Sequence, residues 1–276
     1  MINSINDCTV LNNGLKMPWL GLGVYQIPDG AEVVKAIHKA FEAGYRSIDT
    51  AAVYNNETGV GKAIRESGLP REEIFLTTKV WNADLRKKRT AAAFEESLER
   101  LGLEYVDLYL VHWPVKDCYL EAWRGMEKIY QSGRAKAIGL SNFMVPHLED
   151  VLEMCEVKPA VNQVEFHPML VQPELLEFCR EHHIQVEAWS PLMQGRVTEV
   201  KVIKELAEKY GQTPAQIALR WDLQHQVVTI PKSSKPHRIT ENAQLFDFEL
   251  SQSDMALLDA LDQGKRFGPD PNNFDF

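Results

Sequence analysis

YVDLYLVHW, residues 105–113, is short, rich in β-branched and aromatic side chains, and ends in a histidine and a tryptophan. A run of this kind reads as a buried strand, and its polar end falls where the strand runs out. Seven further runs have the same character: WLGLGVY from Trp19, YRSIDT from Tyr45, IFLTTKV from Ile74, AKAIGLSN from Ala135, PAVNQVEF from Pro159, IQVEAWS from Ile184 and VVTIPKS from Val227. Longer segments of helical spacing lie between them, with Val33, Ile37, Ala40 and Phe41 on one apolar face and Ala91, Phe94, Leu98 and Leu101 on another. Eight alternating strand and helix units favour an α/β fold with a parallel sheet and right-handed crossovers, closed into a (β/α)8 TIM barrel. The length of 276 residues suits one such domain over residues 1–276, and no linker or low-complexity stretch divides it. Ahead of the first run, TVLNNGLKM carries Asn13-Gly14 between short apolar stretches, a signal for an N-terminal β-hairpin closing the barrel's bottom. Residues 264–276, rich in Gly, Pro and Asn, read as an irregular tail.

Composition narrows the function. A formal charge of -9 opposes a nucleic-acid surface, which needs clustered, unopposed cations. No stretch approaches the roughly 20 apolar residues of a membrane span. Cys8, Cys118, Cys155 and Cys179 are far apart with no CxxC pair, and the N-terminus has no basic segment followed by an apolar run, which suits reduced thiols in the cytoplasm. The adjacent His182 and His183 lack metal-ligand spacing, so no metal is expected. Charged outer helices on an uninterrupted barrel are compatible with a monomer.

Catalytic groups of such barrels gather at the C-terminal rim of the strands. The strand ends here carry Tyr25, Asp49, Lys79 with Trp81, His112 with Trp113, Ser141 with Asn142, Gln163, Trp189 with Ser190, and Lys232 with Ser233. Singly, each is compatible with a capping or solvated group; together they point to a site. An apolar strand delivers Lys79 to the rim, where an unpaired ammonium is costly to bury, and Asp49 is its natural partner. Tyr54, five residues beyond Asp49, would feel that ammonium, which is expected to lower the phenol by roughly two or three pH units, or about 3 to 4 kcal/mol. A phenol so tuned can act as general acid, while a neutral His112 can donate to an oxygen gaining negative charge.

No GxGxxG fingerprint is present, since Gln26 stands where the third glycine after Gly21 and Gly23 would be. The alternative anion site is IPKSSKPHRITEN, from Ile230, where Lys232, Ser233, Ser234 and Arg238 precede or open a helix. Two charge-assisted bonds of about 1.5 to 3 kcal/mol each would favour a cofactor carrying a ribose phosphate. A solvated helix cap is the plainer reading of the same residues.

The segments GYRSIDTAAVYNNE, the Lys79 strand with Trp81, LVHWP, GLSNF, and IPKSS with its downstream RITEN are similar to the signatures of the aldo-keto reductase family, and the chain resembles that family over essentially its whole length. The resemblance is to the compact bacterial and protist type, which includes glyoxal and methylglyoxal reductases, diketogluconate reductases and prostaglandin F synthases. It implies a cytoplasmic NADPH-dependent reductase of small carbonyl compounds with a tetrad of Asp49, Tyr54, Lys79 and His112, Tyr54 being the proton donor. It implies that Tyr25, Trp81 and Trp113 wall the substrate pocket beside Tyr54 and His112. It further implies that Ser141, Asn142 and Gln163 bond the nicotinamide amide, that Trp189 stacks on its ring, and that Glu241 and Asn242 reach the adenine. Gly23, Val24, Asp49, Ser190, Pro191, Leu192, Ile230, Pro231, Lys232, Ser233, Ser234 and Arg238 complete the implied cofactor contacts.

One segment departs from the family's pattern. Arg86, Lys87, Lys88 and Arg89 read as lying at a helix start, where cations oppose the helix dipole. They suit either a solvated face or the attraction of anionic substrates. The connections after His112 and Ser190 and the tail after Leu261 look short, so a rather open pocket is expected. The competing functional class is a non-catalytic NADPH-binding redox sensor or regulatory subunit, against which the intact tetrad argues.

Overall fold

Residues 2–276 are described in a computed structural model. An antiparallel hairpin comes first, β1 (Cys8–Val10) against β2 (Lys16–Pro18). The eight expected runs then supply β3 (Gly21–Gly23), β4 (Ser47–Asp49), β5 (Phe75–Val80), β6 (Val106–Val111), β7 (Ala135–Ser141), β8 (Val161–Glu165), β9 (Gln185–Trp189) and β10 (Val228–Thr229). Each pairs in parallel with the next in chain order, from β3 to β10. The sheet closes because Thr229 N donates to Trp19 O at 3.0 Å and Gly23 N donates to Pro231 O at 3.2 Å. That seam is tight. A Cβ at Gly21 would lie 2.9 Å from Ser47 Oγ and 3.0 Å from Ile230 Cγ2, so a residue without a side chain belongs there.

Side chains alternate between the two faces of each strand, which divides the core in two. Phe75, Leu108, Leu110, Ala137, Val161 and Val228 fill the barrel's interior, and Leu11 and Met17 of the hairpin plug it from below. The hairpin's turn takes a left-handed glycine, Gly14 at φ 86°, and its arms reach the strands' N-terminal ends. Asn12 Nδ2 donates to Pro159 O at 2.8 Å, Asn13 Nδ2 to Lys136 O at 2.9 Å, and Thr9 Oγ1 to Gln185 Oε1 at 2.9 Å.

The larger core lies between strands and helices. Ala31–Glu42 buries Val33, Ile37, Ala40 and Phe41 as expected, together with Ala36. Each of the larger side chains contributes about 1.5 to 3 kcal/mol when fully buried. In Thr90–Leu101 the buried stripe is Ala93, Phe94, Leu98 and Leu101, whereas Ala91 is exposed. Ala91 was placed on this face by the sequence; with Phe94 and Leu98 fixing the stripe, the helical period brings Ala93 inward instead.

The basic segment matches expectation only in part. Arg86 ends a short helix, Asn82–Arg86, and Arg89 is the N-cap of the next, Thr90–Leu101, so the segment leads into a helix start as expected but also closes a helix that the sequence did not show. Lys88 pairs with Glu121 at 2.8 Å, Arg89 pairs with Asp84 at 3.2 Å and with Glu96, and Arg86 bonds the tail. Residues 264–276 are irregular, as expected, yet they cross the barrel's mouth. No helix among the described residues is long and apolar enough to cross a membrane.

Candidate active site

Strand β4 ends in Asp49 and β5 carries Lys79 to the same rim, where both side chains are buried. Lys79 Nζ donates to Asp49 Oδ1 at 2.6 Å and to Thr50 O at 2.9 Å. Burial acts to lower the ammonium, but Asp49 and Tyr54 outweigh it and leave Lys79 above the usual lysine value. It stays charged.

The chain leaves β4 through a single 3-10 turn, Ala52–Tyr54, closed by Asn55 in the left-handed region at φ 55°. Asn56 anchors that turn, accepting from Thr50 Oγ1 and donating to Val24 O and Ile27 O. The turn folds Tyr54 back over the mouth, its ring centroid 5.1 Å from Lys79 Nζ, 5.8 Å from the His112 ring and 4.9 Å from the Tyr25 ring. Tyr54 is half-buried, and desolvation of its phenol, stronger than the pull of Lys79, raises it to about 12. The expected lowering is thus corrected: the nearby cation was legible in the sequence, the enclosure was not.

His112 follows β6 and is buried, its Nδ1 without a partner among the described residues. Burial, with Lys79 adding to it, holds the imidazole well below its usual value, so it is neutral near pH 7. Trp81 stands edge-on to His112 at 5.2 Å. Asp49, Tyr54, Lys79 and His112 therefore converge, and Tyr25 and Trp81 border them.

Across the rim, Gln163 on β8 reaches Asp49: its Nε2 donates to Asp49 Oδ2 at 2.8 Å and to Glu187 Oε2 at 2.7 Å. Asn142 lies just past β7 at φ 67°, an uncommon conformation for an L side chain that marks a constrained rim. Its Nδ2 donates to His112 O at 3.0 Å and to Ser141 Oγ at 3.1 Å, and its Oδ1 accepts from Trp189 Nε1 at 2.8 Å. These bonds tie the end of β6 to the indole at the end of β9. Ser190, also left-handed at φ 53°, turns the chain into Pro191 and Leu192.

At the seam, Val24 N donates to Asp49 O at 3.0 Å and Ile230 N to Ala188 O at 3.3 Å, while Gly23 faces Lys232 across the closure. Lys232, Ser234 and Arg238 are exposed, and neither cation forms an ion pair among the described residues. Ser233 is buried and its Oγ accepts from Lys235 N, ordering the turn into Pro236–Glu241. Glu241 is half-buried and Asn242 buried at that helix's end, which Tyr45 tethers by donating to Ile239 O at 3.2 Å. The cations and the remaining rim groups therefore lie along one edge of the mouth, on the β3–β10 side.

The tail was expected to leave the mouth open; it does not. Glu165, buried at the end of β8, accepts from Phe267 N at 2.7 Å, from Gly268 N at 3.2 Å and from His167 Nε2 at 3.1 Å. The strap then runs to the opposite side, where Phe276 stacks on Trp81 with centroids 5.8 Å apart and planes at 5°, and Phe274 tilts against Trp113 at 5.1 Å. Asn82 Nδ2 and Arg86 Nη2 donate to Phe276 O at 3.1 and 2.7 Å. The sequence reading missed Phe274, Phe276, Glu165 and Glu187. A carboxylate inside an apolar run, as in PAVNQVEF and IQVEAWS, was the available signal for the last two.

Residues 19–263 match the family model described as "Aldo/keto reductase family". The chain is 56% identical over 276 residues to glyoxal reductase of Bacillus subtilis (strain 168), covering all of both chains. It is 50% identical over 268 residues to methylglyoxal reductase DkgA of Salmonella typhimurium, covering 96% of each. Among solved structures, an aldo-keto reductase enzyme from a Medee basin deep-sea metagenome library superposes with a TM-score of 0.94 at 42% identity, over 97% of this chain and all of that one.

Proposed function

Because the chain belongs to the aldo/keto reductase family and is an oxidoreductase acting on carbonyl groups, we propose that it reduces small aldehydes and dicarbonyls with NADPH, Tyr54 giving the proton. The observation that carries this reading is the convergence of the Tyr54 phenol, the Lys79–Asp49 ion pair and the neutral His112 at one rim.

The groups suit a phosphorylated nicotinamide cofactor. Among the described residues Gln163 Oε1 accepts no hydrogen bond and Lys232 and Arg238 have no carboxylate partner, while Trp189 offers an indole at the same rim. When bound, that cofactor supplies the hydride. Lys232, Ser233, Ser234 and Arg238 would hold its ribose phosphate. Ser141, Asn142 and Gln163 would hold its carboxamide, though both Asn142 N–H bonds are committed to His112 O and Ser141 Oγ and Oδ1 already accepts from Trp189 Nε1, which leaves the second lone pair of Oδ1 as its free capacity.

The proton chemistry follows from charge. A phenol near 12 is fully protonated at neutral pH, as an acid must be before it donates. As Tyr54 gives up its proton, negative charge develops close to Lys79. At about 5 Å and an effective dielectric near 20, two unit charges attract by about 3 kcal/mol, and that attraction is absent while the phenol is neutral. It is therefore a stabilisation of the transition state over the ground state. Asp49 holds the ammonium in position and His112, kept neutral, donates to the same carbonyl oxygen.

Small dicarbonyls such as methylglyoxal fit a mouth walled by Tyr25, Trp81 and Trp113 and narrowed by Phe274 and Phe276. The test is Tyr54→Phe with methylglyoxal and NADPH, followed by cofactor absorbance. Turnover should fall by roughly 100- to 10,000-fold with cofactor affinity kept; normal turnover by that variant would remove Tyr54 as the acid.

A further inference from the structure

Glu187 lies inside the barrel, fully buried, with no role in the chemistry above. Its Oε2 accepts from Gln163 Nε2 while its Oε1 is buried with no partner among the described residues. An incompletely satisfied carboxyl in a barrel interior is destabilising, and an apolar residue of similar size would avoid it. Its neighbours explain its state. The charged groups facing it are Asp49 from β4 and Lys79 from β5; Val228, its register partner on β10, is apolar, and Gln163 on β8 is neutral. Burial first, then the Asp49 charge, pushes the carboxyl above the usual carboxylate range, against the Gln163 bond and Lys79. Its Oε2 accepts from Gln163 whether or not the group carries a proton on its other oxygen.

Two carboxyl oxygens facing one end of a side-chain amide require that end to be the NH2 group. Asp49 Oδ2 and Glu187 Oε2 together take both N–H bonds of Gln163. Only Oε1, an acceptor, is left to meet a ligand. We propose that Glu187 is a positioning residue: by holding the second N–H of Gln163 inward, it makes Gln163 a pure acceptor that selects a cofactor ring bearing a carboxamide N–H. The proposal rests on the NADPH reading above.

Without Glu187, one N–H of Gln163 would still bond Asp49, but the other would turn to the mouth and accept ligands that carry only an oxygen there. The probe pair is NADPH and its reduced 3-acetylpyridine counterpart, whose methyl ketone has the oxygen but no N–H. Dissociation constants are measured by fluorescence titration on the full chain. The wild type should favour NADPH by about tenfold, the effect of one hydrogen bond. Glu187→Leu should narrow that preference to about twofold. Glu187→Gln, which can still present an oxygen to Gln163, should keep it. A purely structural role would lower melting temperature in the leucine variant without changing the ratio. Glu187→Met carries the same expectation if the leucine variant does not fold. An unchanged preference in either folded apolar variant, or its loss in Glu187→Gln, overturns the proposal. A wild-type protein that binds neither cofactor overturns the functional reading as well.

Discussion

Gly268→Ala is the substitution whose consequence the geometry constrains most. A Cβ on Gly268 would stand 2.9 Å from Trp189 Cζ3, closer still to Cη2, and 3.4 Å from Glu165 Oε2. Carbon atoms rest at about 3.5 to 4.0 Å, so the tighter contact with Cη2 requires ring and strap to separate by more than about 1 Å. Neither side gives freely. The indole is fixed by its 2.8 Å bond to Asn142, and the strap by the bond from Phe267 N to Glu165. Overpacking of this kind costs about 1 to 3 kcal/mol. At about 2 to 4 °C per kcal/mol for a chain near this size, a 2 kcal/mol loss lowers the melting temperature by roughly 4 to 8 °C. The assay is a thermal melt with and without NADPH, joined to cofactor titration and steady-state kinetics. If the ring yields, cofactor affinity falls; if the strap lifts, affinity holds and KM for small aldehydes rises. A variant with the wild-type melting temperature, cofactor affinity and KM would refute the contact between strap and indole.

Arg238→Ala should weaken NADPH by roughly 10- to 100-fold and leave NADH nearly unchanged, as expected for one charge-assisted phosphate bond; equal losses for the two cofactors in titration would contradict the phosphate assignment. Arg86→Ala should leave Phe276 O held by Asn82 alone, loosen the ring on Trp81, and raise KM for small aldehydes severalfold with kcat within about twofold. With Arg86, Lys88 and Arg89 already partnered, reduction rates of a keto acid and a neutral aldehyde should change in parallel between low and high salt; a selective loss with the keto acid would restore the cluster as an anion-attracting surface. Asp254, bonded by Lys209, Ser251 and Tyr210, is held down to about 2 from 3.8, so its stabilisation is present above about pH 4 and is lost as pH falls from there to about 2. Asp254→Asn should therefore melt below the wild type at pH 6 and converge with it near pH 2.

The barrel and the convergence of Asp49, Tyr54, Lys79 and His112 were legible because each strand run ends abruptly in a polar residue, and parallel pairing in chain order brings those ends together. Tyr54's proton affinity was not legible, since a neighbouring cation can be counted from a motif while enclosure depends on what folds over it. The strap was invisible for a different reason. Phe274 and Phe276 stand in a polar, aperiodic stretch, and no spacing rule links them to Trp81 and Trp113. Within the basic segment the helix start at Arg89 was legible, but the five-residue helix ending at Arg86 has too few turns to show a period. Glu187 shares one face of β9 with Gln185 and Trp189 by simple alternation, so it could have been found.

The N-terminal hairpin's anchors lie 123, 147 and 176 positions downstream in the chain. A growing polypeptide emerges with its plug first and the hole it fills much later. At about 5 to 20 residues per second, Thr9 waits roughly ten to thirty-five seconds for Gln185 to be made. Over that interval Leu11 and Met17 have no barrel interior to enter, so the hairpin's docking has to await the later strands.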